Sequence, residues 1–296
     1  MSSIAAFGAL ESGLIFALVA FGVFFSFRIL NFPDLTVDGS FPMGAAISAV
    51  LIVSGMNPWL ATLAAFGGGM LAGIVTALMN VKLKILNLLA SILTMIALYS
   101  INLRIMGKPN VALLGENTVL SPTDDWSIPY YTSTPIVFGV IVLVVFFILL
   151  WFLNSQPGLA MRATGANARM AASQGINTDR MIIIGMAVSN GLVAVAGSLF
   201  AQSAGSADIT MGVGVIVIGL ASVIGGEAVM STKTIMLALL ACIVGSILYR
   251  FAIALALNAD FIGLKAQDLN LVTAVLVAFA IVAPRLKSNI MARIKA

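Results

Sequence analysis

A helix that crosses a membrane needs about 20 consecutive, predominantly apolar residues, and this chain is built almost entirely from stretches of that kind, parted by short polar breaks. They run over about 7–30, 39–55, 58–79, 88–104, 135–154, 181–203, 211–226, 234–257 and 269–284. Of 296 residues, 61% are apolar and only 9% are Asp, Glu, Lys or Arg, against roughly 25% charge in a soluble domain. That leaves too little polar surface to cover a soluble core of this size. The pattern predicts an all-α polytopic membrane protein of about 8–10 transmembrane segments, one domain over 1–296, with the lipid bilayer as its first partner. The opening MSSIAAFGALESG has no basic n-region and carries Glu11 ahead of its apolar run, so the first helix is expected to remain in the mature protein.

Lysine and arginine set the orientation, because short cytoplasmic loops hold their excess. Placing Arg28, Lys82, Lys84, Arg162, Arg169, Arg180, Lys233 and the tail residues Arg285, Lys287, Arg293 and Lys295 inside accounts for eleven of the fifteen basic residues. Arg104, Lys108, Arg250 and Lys265 stay outside, and the 105–134 loop, with Glu116, Asp124 and Asp125, becomes external. If all nine runs cross, the N-terminus is external and the C-terminus cytoplasmic. The net charge of +4 is then topological, and no nucleic-acid partner is expected. Trp59, Trp126, Trp151, Tyr130 and Tyr131 fall near span ends, where interfacial aromatic belts form.

Composition also removes whole chemistries. The chain has no histidine and one cysteine, Cys242, inside an apolar run, so the usual zinc sites and Ser-His-Asp or Cys-His machinery are excluded and no metal is expected. No G-x-x-x-x-G-K-[ST] phosphate loop occurs, so no nucleotide cofactor is expected in this chain. Gly67-Gly68-Gly69 lies within a span and suits close helix packing, and Gly225-Gly226-Glu227 reads as a helix end.

Two of the runs are too short. Those at 39–55 and 211–226 give only about 25 Å of helix, less than a hydrocarbon core of about 30 Å. Each follows polar backbone, NFPDLTVDGSFPMGAA in one case and SAGSADITMGVGVIV in the other, so an Asp-apolar-Thr ahead of a glycine-bearing short helix occurs twice. Gly13-Leu14 and Gly191-Leu192 precede the two aspartates at comparable distances. The orientation above puts the first copy at the inner side and the second at the outer side, a weak inverted-topology repeat with two broken helices. Paired broken spans in opposite halves point to a central transport path, since irregular backbone at membrane depth survives only where protein or water satisfies it.

The polar residues at these breaks are the candidates for such a path: Asp34, Asp38 and Asp208, with Asn31, Thr36, Ser40, Asn190, Gln202 and Thr210 able to supply hydrogen bonds. Asp38 and Asp208 each precede a short helix and are equally suited to capping its first amides. Arg250 lies deeper than the other outer cations; snorkelling, pairing with Asp208 or Asp260, and meeting a solute carboxylate are all open to it.

The longest inner segment, 155–180, reads SQPGLAMRATGANARMAASQGINTDR with its flanks. Pro157 is expected to stop the preceding helix, Asn167 to cap a short helix over Ala168 to Gln174, and Gly175 to follow its end. At that length a helix needs a partner. This segment, from PGLAMRATG through Asn167, Ala171 and Gly175-Ile176, resembles the coupling-helix region of the permease family of ABC importers that includes branched-chain amino acid and ribose permeases. NFPDLTVDGSFPMGA is similar to the segment at that family's broken second helix, and the likeness extends over nearly the whole chain. SNGLVAVAGSLFAQSAGSADITMGVG, GLASVIGGEAV and GLKAQDLNLVTA are more similar to the subgroup linked to aromatic amino acid uptake.

The resemblance implies a transport subunit, not an enzyme, in a bacterial plasma (inner) membrane, forming the path for a small polar solute, most simply an amino acid. It implies that Arg162, Gly165, Asn167, Arg169, Ala171 and Gly175 couple to a separate ABC ATPase that holds ATP and Mg. It also implies an extracytoplasmic binding protein or lipoprotein that delivers solute, and a second permease copy, most simply in a homodimer. An ion-coupled secondary transporter is the alternative that inverted repeats and broken helices also allow.

Overall fold

The computed structural model describes residues 3–123 and 129–257. The chain runs α1 (Ser3–Val23), a π-helical turn (Phe24–Ile29), α2 (Val37–Val53), α3 (Pro58–Val81), α4 (Asn87–Met106), β1 (Asn110–Ala112), α5 (Tyr130–Asn154), α6 (Gln156–Ala166), α7 (Ala168–Ser173), α8 (Thr178–Ala204), β2 (Ser206–Asp208), α9 (Val215–Val229) and α10 (Ile235–Leu257). Six helices, α1 with its π turn, α3, α4, α5, α8 and α10, are long and apolar enough to cross a membrane. The protein is therefore a multi-pass, mostly helical membrane protein. α2 and α9, of 17 and 15 residues, are the two short spans. The ninth run at 269–284 and the basic tail lie outside the described residues, as do Asp124, Asp125, Trp126, Asp260 and Lys265.

Local signals explain several ends. Asn57 accepts from the Trp59 amide at 2.9 Å, and Pro58 opens α3, where its missing N–H costs nothing. Gly107 and Gly205 close α4 and α8 at φ +68° and +71°, the left-handed geometry that glycine adopts without strain.

The helix pairings give the inverted repeat its three-dimensional form. α1 packs on α10 as α8 packs on α3, α2 on α3 as α9 on α10, and α2 on α8 as α9 on α1. The glycines follow the same exchange. Gly13 of α1 faces Ile247 of α10, while Gly191 of α8 faces Phe66 and Met70 of α3. Without a hydrophobic drive between helices in lipid, such close backbone approach supplies much of the association. It is close where α2 crosses α8: a Cβ at Gly44 would strike the carbonyl of Ala194, and one at Gly197 the carbonyl of Phe41. Hydroxyls add to it, Ser189 donating to the Gly22 carbonyl and Ser246 to the Gly13 carbonyl, each at 2.7 Å.

Two features go beyond the sequence reading. The helix before Pro157 ends as expected, but a further helix starts at once. α5 ends at Asn154, and Pro157 sits in the first turn of α6, where a missing N–H is tolerated. α6 then lies against the inner end of α1, with Gly165 at the carbonyl of Ile29. The chain after α4 also forms a strand: β1 and β2 pair antiparallel, Asn110 opposite Asp208 and Ala112 opposite Ser206, tying the two halves together. α7 itself forms as expected, one residue shorter, over Ala168–Ser173.

Gly197→Val should destabilise the detergent-solubilised protein by about 1–3 kcal/mol or more, because a backbone carbonyl cannot yield as a side chain can. Gly67 has nothing within 4 Å of a built Cβ, so Gly67→Ala should be neutral or stabilise by up to about 1 kcal/mol. Equal thermal-unfolding midpoints for the two variants would refute this account of the α2–α8 crossing.

Candidate functional site

Both breaks fold into the same local turn. Asp34 Oδ1 accepts the Thr36 amide at 2.9 Å, and Asp208 Oδ1 accepts the Thr210 amide at 2.7 Å. An aspartate that bonds the amide two residues on makes such a turn with no help from the rest of the fold. The surroundings of the two then diverge. Asp34 is fully buried, and its Oδ2 accepts from Asn190 Nδ2 at 2.8 Å. Asn190 Oδ1 in turn accepts from the Ser40 hydroxyl at 2.7 Å, and Thr36 shares a 2.8 Å hydroxyl contact with Thr76. Asp34, Thr36, Ser40 and Asn190 are thus brought together, each buried and facing the others. Asp208 is only half-buried, and the Thr210 hydroxyl and amide, with Asn110, hold its carboxyl below the ordinary carboxylate range. That turn is intact above the usual carboxylate pKa and is lost only as pH falls through the lower, folded value.

Asp38 acts as a cap, but not of its own helix. It sits in the first turn of α2 but serves α9: Oδ1 accepts the Ile216 amide at 2.8 Å and Oδ2 the Gly214 amide at 3.2 Å. Gly212 lies against the Asp38 carbonyl and Pro42. The two short helices therefore start beside one another. α2 is about 25 Å long and α9 about 22 Å, and both lie among helices long and apolar enough to cross a membrane.

A half-open cavity of about 540 Å³ lies beside this meeting place. Its walls are the start of α2 (Asp38, Pro42), one face of α4 (Met95, Tyr99, Asn102) and the segment before α9 (Thr210, Val213). Asp38 and Thr210 are the candidates from the sequence that line it. Asn102, Tyr99 and Ser100 were missed, because single polar residues in an apolar run carry no local signal. Asn102 is fully buried, donates from Nδ2 to the Gly39 carbonyl at 3.1 Å, and leaves Oδ1 without a hydrogen-bond partner.

The remaining candidates lie elsewhere. Asn31 is exposed at φ +53° in the chain between the π turn and α2. Gln202 is buried and works as a clamp, accepting the Val119 amide of the outer loop at 2.9 Å and donating to Thr62 and Ser198 at 3.0 and 3.1 Å. Arg250 places its guanidinium 3.8 Å from the centroid of the Phe16 ring, a cation–π contact, and forms no ion pair with a described carboxylate. The ion pair among the described residues joins Arg28 to Glu227, with Nε to Oε1 at 2.8 Å. It fastens the inner end of α1 to the last turn of α9. No cluster of metal-ligating side chains occurs among the described residues.

The sequence profile of the family described as branched-chain amino acid transport system / permease component matches residues 5–283. The chain belongs to this family of ABC importer permeases. A tyrosine transport system permease protein of Clostridioides difficile is 39% identical over 90% of this chain and 87% of its own length. The ribose import permease protein of Bacillus subtilis is 26% identical over 71% of this chain and 66% of its own. Among solved structures, PsaBC from Streptococcus pneumoniae in complex with Fab has the same fold, with a TM-score of 0.52 at 14% identity over 92% of this chain and 89% of that one.

In this permease the inner segment is α6 and α7. Asn167 caps α7 by accepting the Met170 amide at 3.0 Å, and Gly175 follows its end at φ +82°. Ala171, with 4% exposure, faces the chain's own helices; Met170, with 63%, and Arg169 face outward. Arg162 is half-buried, and Gly165 packs on the end of the π-helical turn.

Asn190→Leu should destabilise the permease by several kcal/mol, since it leaves the buried Asp34 and Ser40 without their shared partner. In a double-mutant cycle with Asp34→Leu, measured by thermal unfolding, the two losses should fall short of additive by about 1 kcal/mol or more. Strict additivity would show that the bond contributes nothing.

Proposed function

We propose that this chain is the translocation subunit of a binding-protein-dependent ABC importer in a bacterial inner membrane, working as a homodimer and carrying an amino acid, with an aromatic one such as tyrosine foremost. The observation that carries the transport reading is the cavity where the two broken helices meet. It brings together an acidic cap and a buried carboxamide whose oxygen has no partner, a need that water or solute can meet and lipid cannot. Family membership supports the ABC class, and the tyrosine permease relative supports the solute. The half-open flank of the cavity on α4 supports a second copy as its other wall, placed by two-fold symmetry.

Energy comes in this reading from a separate ATPase docked on α7, with Met170 and Arg169 as the outward anchors. The outer face receives a binding protein. A second hollow of about 530 Å³, between the α2–α3 turn and the outer loop and lined by Asn57, Trp59 and Glu116 among others, supports that placement.

The deciding experiment is reconstitution of the chain in liposomes with its ATPase and binding protein. Labelled tyrosine should accumulate only with ATP and all partners present. Accumulation driven by an ion gradient with this chain alone would overturn the ABC reading. In the same system, Met170→Asp should leave insertion intact but cut uptake at least about tenfold, through loss of an apolar anchor. Normal uptake by a well-expressed variant would remove α7 as the docking element.

A further inference from the structure

The permease reading leaves open which end of a solute the cavity holds. Resting on that reading, we infer that the cavity between α2, α4 and the start of α9 is a subsite for the ammonium end of an amine-bearing solute with an apolar body, and that Asn102 Oδ1 is its specificity-determining acceptor.

The orientation of Asn102 is fixed by its neighbour. The amide Nδ2 donates to the Gly39 carbonyl at 3.1 Å, and a flipped carboxamide would set two oxygens against each other, so the oxygen must point away from Gly39. That oxygen belongs to a fully buried side chain and has no partner. Leaving a buried acceptor unmade is costly, and a residue that lines a cavity and keeps such an atom is suited to a donor that comes and goes.

The other walls narrow the class of donor. Asp38 adds negative charge at the same cavity, and its two bonds to Gly214 and Ile216 leave lone pairs free. Apart from the Tyr99 and Ser100 hydroxyls, the cavity offers an anion neither a cation nor a free helix start. The helix starts, which elsewhere offer unpaired amides to carboxylates, are closed: Ile216 and Gly214 are taken by Asp38, the Val215 amide by Gly212, and the Val217 and Ile218 amides by Gly214. At α2, the Asp38, Gly39 and Ser40 amides bond back to Leu35 and Thr36. No Lys or Arg lines the cavity. Met95, Ile96, Pro42, Val213 and the ring of Tyr99 supply apolar wall, so a positive donor end with an apolar or aromatic body fits better than a carboxylate beside Asp38.

The test uses the full-length permease in detergent, with Ser100→Cys as reporter on the cavity wall and Cys242→Ser as background. Alkylation of the reporter by a small polar maleimide is timed with tyramine, which has an ammonium and no carboxylate, or with 3-(4-hydroxyphenyl)propionate, which has the reverse. Tyramine should slow the reaction several-fold and the propionate should not. Asn102→Leu should raise the half-protecting concentration of tyramine by about tenfold or more, the loss expected for a hydrogen bond to a charged group. Asn102→Asp, which keeps an acceptor oxygen, should retain protection. Met95→Trp, which fills the cavity from another wall and leaves Asn102 intact, should abolish protection and covers the case in which Asn102→Leu does not fold. Equal protection by the propionate, undiminished protection in Asn102→Leu, or no protection by either probe would overturn the subsite. None of these outcomes bears on ATP-driven uptake by the reconstituted importer, so the subsite and the permease reading fail separately.

Discussion

A broken helix inside a membrane exposes amides that lipid cannot satisfy, and here the Asp38 carboxylate meets that need from the other half of the molecule. It accepts the amides of Gly214 and Ile216 at the start of α9, while its own helix starts with internal bonds to Leu35 and Thr36. One side chain thereby allows two helices to begin side by side. Remove that constraint and neither short span has a reason to stop where it does. The cavity exists because both stop there.

The meeting place is held by small residues. Gly44, Gly197 and Gly212 let backbone carbonyls approach where any Cβ would collide, and buried hydroxyls of Ser189 and Ser246 bond carbonyls on the facing helix. Leucine-rich faces point the other way, outward from α3, α4 and α5. The usual order of a soluble protein, large apolar residues inside, is therefore partly inverted, as expected where the solvent is itself apolar.

The spans were legible because membrane depth leaves the backbone little choice but a helix, so apolar length alone located eight of them within a few residues. The repeat was legible for a different reason. An Asp-apolar-Thr turn is a local device, and Asp34 and Asp208 make it alike even though one is buried and the other lies at the surface. Asn167 and Gly175 likewise bracket α7 by local rules. Four features needed the fold. α6 was hidden because Pro157 reads as a breaker in sequence yet is harmless in a first turn. β1 and β2 are three residues each and pair across about a hundred residues of chain. Asp38 finds its amides 176 and 178 residues away. Asn102 and Tyr99 are single polar residues on one face of α4, and only the approach of α2 and α9 makes that face a wall. Sequence shows that Asn190 or Ser40 needs a partner at membrane depth; whether the partner is another side chain or a solute is decided by tertiary structure.

The contacts that enclose the cavity also reach the inner surface without a gap. α7 follows α6, α6 rests through Gly165 on the carbonyl of Ile29, and the neighbouring Arg28 holds Glu227 in the last turn of α9. The first turn of α9 is in turn bound to Asp38 on the cavity wall. Arg28 is half-exposed, with side-chain exposure of 52%, and exposed pairs contribute only about 0.2–1 kcal/mol. That is small enough to break and remake within a transport cycle, whereas the buried Asp34–Asn190–Ser40 network is not. Between its two ends α9 is packed on α1 and α10, with Gly226 against the carbonyl of Ala241, so the Arg28–Glu227 contact biases transport only to the extent that it differs between states.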